Sequence, residues 1–185
     1  ANWKGDLRKL EKTEHIFNIT FDKASWTISA EGPGVRNASF SLDYGPLMLE
    51  GRQMQFEIGG SPVVADLKVT GFPEKPEVTF KTTSTELKPL EAWGAVTALL
   101  KPKAESLSAQ VSNHAKEFIQ AVFPKNQPIK NLGVEGSYAD PAWTISSLKL
   151  EAYDGKWDLK GSGNAKEQGF AYHFEGALQG LNLGS

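Results

Sequence analysis

Most of the chain alternates apolar and polar residues with period two, the pattern of strands that bury one face. Phe17, Ile19 and Phe21 alternate with Asn18 and Thr20, and Trp26, Ile28 and Ala30 follow a short turn at Asp22-Lys23-Ala24. Ala38, Phe40, Leu42 and Tyr44 then alternate with Asn37, Ser39, Ser41 and Asp43. Tyr44-Gly45-Pro46 reads as the turn into Leu47 and Leu49, and Glu50-Gly51-Arg52 as the turn into Met54, Phe56 and Ile58. Gly59-Gly60 is a tight-turn signal. Val63, Ala65, Leu67 and Val69 make the next strand, and Pro73-Glu74-Lys75-Pro76 turns the chain into Val78, Phe80 and Thr82.

The period changes at Ser84. From there to Lys101, Leu87, Leu90, Trp93, Val96 or Thr97, and Leu100 recur at intervals of three and four, which predicts a helix capped by Ser84 or Thr85. Pro102 interrupts it. A second helix follows with Leu107, Val111, Ala115, Phe118 and Val122 on one stripe, and Pro124 stops it. Each must lay its stripe against a sheet. From Val134 the chain returns to strands: Val134, Gly136 and Tyr138; Trp143 and Ile145; Leu148 and Leu150; Trp157 and Leu159 after a turn at Tyr153-Asp154-Gly155; and Phe170, Tyr172 and Phe174. Gly161 and Gly163 flank a polar loop.

Trp-Thr-Ile-Ser occurs at residues 26–29 and again at 143–146, each time after an Asp-started turn. Met54–Gly60 then lines up with Leu148–Gly155, and Asp66–Gly71 with Asp158–Gly163. The matching order points to a duplication of one antiparallel meander. The predicted organisation is one domain over 1–185, with a first meander at 15–83, a helical insertion at 84–124 and a second meander at 133–183. The fold class is mainly β with two helices, a long curved antiparallel sheet of about ten strands with the helices on one side or end.

Composition narrows the functional classes. Lys plus Arg total 20 and Asp plus Glu 22, a net charge of −2, so the basic excess that announces nucleic-acid binding is missing. Mean hydropathy is −0.37, and no apolar run approaches the ~20 residues of a membrane-spanning helix. Cysteine is absent, which removes disulfides, thiolate metal sites and a cysteine nucleophile. The chain starts at Ala1 without a basic-then-apolar leader and reads as a processed protein or a fragment. His15, His114 and His173 show no ligand spacing, and no nucleophile elbow, phosphate loop or dinucleotide fingerprint is present. The expectation is a non-enzymatic protein without cofactor or metal. Asn18-Ile19-Thr20 and Asn37-Ala38-Ser39 fit the glycosylation triplet and are read as ordinary strand residues.

The aromatic residues say more. Trp26, Phe40, Phe56, Phe80, Trp143, Trp157, Tyr172 and Phe174 can share one sheet face, and two short helical stripes are too small to cover it. An incompletely covered apolar face is a groove for an apolar ligand or another module. The groove candidates are Trp26, Ile28, Phe40, Leu42, Met54, Phe56, Phe80, Trp143, Ile145, Leu148, Leu150, Trp157 and Phe174.

Val35–Phe40 through Phe56–Gly60, then Val78-Thr79-Phe80 and Glu86–Leu90, resemble bacterial AsmA-like envelope proteins. So do Leu148–Trp157, the Gly-punctuated strand after it and the closing Leu178–Leu183. This resemblance implies a repeating β-groove with an apolar inside that takes phospholipid acyl chains. It also implies a periplasmic location, an inner-membrane anchor upstream, a role in outer-membrane lipid homeostasis, and neighbouring groove modules or envelope proteins as partners. Two other readings stay open: an envelope protein-interaction module, and a closed soluble lipid or lipoprotein carrier.

Overall fold

The computed structural model describes residues 17–27, 34–71, 74–100, 116–117, 119–121, 123, 127–166 and 169–180. Nine strands follow one another in chain order and pair antiparallel with their sequence neighbours into a single open sheet. They are β1 (Phe17–Thr27), β2 (Gly34–Gly45), β3 (Met48–Ile58), β4 (Ser61–Thr70), β5 (Glu77–Leu87), β6 (Ile129–Ala139), β7 (Ala142–Ala152), β8 (Gly155–Lys166) and β9 (Gly169–Gln179). Between β5 and β6 come α1 (Pro89–Leu100) and a second helical stretch at residues 116–117 and 119–121. The architecture is therefore mainly β with two helices, with nine described strands where about ten were expected.

Several expected turns are bulges inside longer strands. Asp22–Ala24 lies within β1 and Glu50–Arg52 within β3, and both ladders shift register nearby. Lys23, Asn37, Gln53 and Asn131 hold positive φ of 49° to 51°, which inserts an extra residue and frees a ladder N–H. Side chains on neighbouring strands accept three of these: the Lys23 N–H donates to Ser39 Oγ at 3.1 Å, the Asn37 N–H to Ser25 Oγ at 3.4 Å, and the Gln53 N–H to Asp66 Oδ1 at 2.6 Å. Bulges bend strands and increase their twist, so β1, β2, β3 and β6 carry built-in curvature, as does β7, whose ladders to β6 and β8 both shift register around Ser146-Ser147. Gly161 and Gly163 likewise lie inside β8 rather than flanking a loop.

The helix begins later than Ser84. That residue is buried in β5, and its hydroxyl donates to Pro62 O at 2.6 Å and Glu86 O at 3.0 Å. Pro89 opens α1, a position where its missing N–H costs nothing. Lys88 O accepts the first helical bond, from Ala92, while the Lys88 N–H donates to Ser61 Oγ. The buried face is also different from the predicted stripe: Ala92 and Ala95 are buried, whereas Leu90 and Trp93 are half-buried and Leu87 belongs to β5. Small residues let the helix approach β2 and β3 closely. Of the second predicted stripe, Leu107, Val111, Ala115, Phe118 and Val122 lie outside the described residues. The second strand set starts at Ile129, five residues before Val134.

Gly59 and Gly60 form the β3–β4 turn with φ of 55° and 76°. A Cβ on Gly59 would stand 2.6 Å from the Glu91 backbone, whereas one on Gly60 would meet nothing within 4 Å. Gly60→Ala should cost about 1–2 kcal/mol for the left-handed backbone alone. Gly59→Ala carries the same term and also pushes α1 off the turn. The gap between the two in urea denaturation measures the docking of α1; equal losses would show that the helix end gives way freely.

Candidate functional site

Cross-strand register divides the sheet into two chemically distinct faces. One row of partners runs Ile19, Leu42, Gly51, Leu67, Phe80, Gly136, Ile145, Gly161, Phe174 through all nine strands. A second, nearer the β2–β3 turn, runs Phe17, Tyr44, Leu49, Val69, Val78, Tyr138, Trp143, Gly163, Tyr172. A third joins Met54, Ala65, Thr82, Val134, Leu148, Leu159 and Gly176. The rows hold only apolar residues, tyrosine, glycine and one threonine. The opposite face carries Asp43 against Glu50, Lys81 against Glu135, Lys149 against Asp158 and Lys160 against Glu175.

Glycines punctuate the first row at Gly51, Gly136 and Gly161 and the second at Gly163, and each stands opposite large side chains. A Cβ on Gly51 would come within 2.8 Å of Leu42 Cδ2, and one on Gly136 within 2.8 Å of Phe80 Cζ and 3.1 Å of Ile145 Cδ1. One on Gly161 would enter the Phe174 ring, and one on Gly163 the Trp143 indole. Large neighbours therefore lie down over bare backbone. The apolar floor is lowered along a line that crosses the strands.

Coverage of this face is uneven. At the end where β5 leaves the sheet, α1 lies on β2 and β3, and Phe123 packs into a cluster with Ile129, Leu150 and Ala152. Leu148, Tyr153 and Trp157 border that cluster, and the Phe123 ring lies 6.3 Å from Trp157 and 6.1 Å from Tyr153. At the other end the face is open among the described residues: Ile19 is 45% exposed, Tyr138 41%, Phe174 49% and Tyr172 72%.

The predicted groove residues fall into three groups. Leu42, Phe80, Trp143, Ile145 and Phe174 belong to the two nine-strand rows, and Trp143 meets Phe174 with ring centroids 5.6 Å apart. Phe40 packs 4.8 Å from Phe21 on the same face. Met54 and Leu150 are buried, Leu148 and Trp157 border the cluster beneath Phe123, and Phe56 pairs with Val63 on β4. Trp26 stands opposite Val35 in the β1–β2 ladder, and Ile28 lies outside the described residues. Sequence reasoning missed Tyr138 and the interleaved glycines; glycine spaced by two inside an alternating strand was the available signal.

Electrostatics belongs to the polar face. Lys160 donates to Glu175 at 2.9 Å and holds that carboxyl below its usual range, while Glu135 raises the Lys81 ammonium. Both pairs are solvent-exposed strand clips of little energetic weight. One polar contact belongs to the apolar face: the Tyr138 hydroxyl donates to Asp140 Oδ1 at 3.0 Å, which raises the phenol above its ordinary value. Asn37 donates to Glu57 and Asn131 to Glu151, both at 3.0 Å, from matching bulges. Depressions of about 230 and 610 Å³ lie mainly over this polar side, bordered by residues such as Asn37, Glu57, Asn131 and Lys149. Among the described residues no three His, Asp or Glu converge as metal ligands, and no helix is long and apolar enough to cross a membrane.

No family model matches this chain, and neither the curated proteins nor the solved structures contain a significant match to it.

Proposed function

We propose that the apolar face is a lipid-binding groove, in which acyl chains lie along the glycine-punctuated row with head groups left in solvent. The observation that carries this reading is the row from Ile19 to Phe174, apolar across nine strands and partly exposed at both ends. Eight inter-strand spacings of ~4.8 Å give it a length of about 38 Å. Keeping each methylene from water is worth ~0.8 kcal/mol, so a 16-carbon chain gains on the order of 13 kcal/mol relative to solvent. Relative to a bilayer the exchange is near neutral, which suits transfer rather than storage. The open sheet, with one end uncovered among the described residues, supports a groove over a closed carrier.

The bacterial periplasm, an inner-membrane tether and a part in outer-membrane lipid homeostasis belong to this proposal. So does a duplicated meander, now as β2–β5 and β6–β9. The bulges at Asn37 and Asn131 match, and so do the contacts to Glu57 and Glu151 and the motifs Val35-Arg36-Asn37 and Ile129-Lys130-Asn131. Trp26-Thr27 ends β1 whereas Trp143–Ser146 opens β7, so on this equivalence the two Trp-Thr-Ile-Ser motifs do not correspond.

Native mass spectrometry after incubation with mixed-chain phospholipid vesicles tests the function. The expected result is uptake with little preference for head group or chain length. Ile19→Glu and Tyr138→Glu, both at half-exposed positions, should stay folded by circular dichroism and lose that uptake. A folded wild-type chain that takes up no lipid sinks the reading.

A further inference from the structure

The free edge of β9 has the sequence of a surface that pairs with itself. Among the described residues no strand lies beyond β9, and residues 171–180 are all exposed. Soluble sheets usually blunt such an edge with proline, a bulge, lysine or a short strand. β9 is weakly protected: it runs 11 residues without proline or lysine, its ladder to β8 has no register shift, and its one carboxylate, Glu175, is paired with Lys160 on β8 and lies 3.8 Å from His173. The β1 edge, by contrast, is broken by two register irregularities around Lys23.

Antiparallel pairing of two β9 strands about a dyad through Phe174 gives complementary partners. His173 falls opposite Glu175, and Ala171 opposite Ala177. Tyr172 falls opposite Gly176, repeating the large-residue-over-glycine pairing of Phe80 with Gly136 and Phe174 with Gly161 inside the sheet. No like charges face each other, an arrangement that would be unfavourable across strands. We infer that this chain forms a symmetric dimer through β9, with a second copy as the occupant of that edge. The dyad stands perpendicular to the sheet, so both apolar faces lie on one side and the glycine-punctuated row continues from one copy into the other. This inference rests on the β9 edge and not on lipid binding.

The absence of native cysteine makes the test direct. Sedimentation velocity over a concentration series of the whole chain should show a monomer–dimer equilibrium. Ala171→Cys should give little covalent dimer alone on mild oxidation, because the dyad separates two copies of residue 171 by six residues along the strand. Mixed with Ala177→Cys it should give predominantly the mixed disulfide. A bis-maleimide with a short spacer should join Phe174→Cys chains to each other. A strictly monomeric chain overturns the inference, and so does Ala171→Cys that crosslinks to itself as readily as to Ala177→Cys. Capture of an unrelated strand peptide by a monomer would likewise overturn it and assign the edge to another partner.

Discussion

Leu150→Glu should unfold the protein, while Ile19→Glu or Tyr138→Glu should leave it folded. All three place a carboxylate on the same sheet face, so the difference is one of coverage. Leu150 is 7% exposed beneath Phe123, Ile129 and Ala152, and nothing cationic is in that cluster. A carboxylate there loses its hydration without gaining a partner and must either take up a proton or expel Phe123; with the lost leucine contacts the penalty is of order 3–5 kcal/mol. That is a large share of the stability of a domain this size. Chemical denaturation should show Leu150→Glu unfolded or close to it at neutral pH, with partial recovery below the carboxyl's raised pKa, where the neutral acid is the buried form. A Leu150→Glu protein as stable as wild type at pH 7 would mean that the helical connection does not cover this end of the sheet.

The second large effect is expected at Gly136. β6 is the sixth of nine strands, flanked on both sides, and a side chain at 136 would meet Thr144 O at 2.5 Å as well as Phe80 and Ile145. Phe80 can swing aside, but the Thr144 carbonyl belongs to the β6–β7 backbone and cannot. Gly136→Val should therefore cost about 2–4 kcal/mol despite valine's preference for strands, through overpacking and backbone displacement. Gly163→Ala is the internal comparison. The atoms its Cβ would meet are those of the Trp143 ring, which can turn outward, so its loss should be smaller and should appear as a change in Trp fluorescence. If Gly136→Val unfolds at the wild-type urea midpoint, glycine in the row is not a packing requirement.

Much of the sheet was legible because its physics is local. Alternation with period two placed Leu42, Phe80, Ile145 and Phe174 among the residues of one face before any pairing was known, whereas Ile19 lies in a stretch where apolar residues fall on both faces; Gly59-Gly60 and Tyr153-Asp154-Gly155 marked real turns. What stayed hidden was left-handed backbone at residues that do not advertise it. Lys23 and Gln53 hold positive φ because neighbouring strands supply Ser39 and Asp66 to accept the freed N–H groups, a tertiary cause absent from the local sequence. The alternation slipped there and the slip read as a turn. Ser84 misled for a similar reason: a serine ahead of a three-and-four pattern is a cap signal, yet here its hydroxyl is spent on Pro62 O in a strand. The division of the groove candidates into covered and open groups depends on where α1 and Phe123 lie, and period alone could not show it.

Among the described residues the number of strands is odd, and that parity decides how such a sheet can grow. In nine strands paired antiparallel in chain order, the first and last point the same way. Laying the last strand of one molecule against the first strand of the next, apolar sides level, would make that junction parallel. An antiparallel junction with the apolar sides level joins only like edge to like edge. Strand-count parity thus favours termination over propagation: a molecule whose bulged first edge stays unused finishes at two copies, with only the two irregular β1 edges left at its ends.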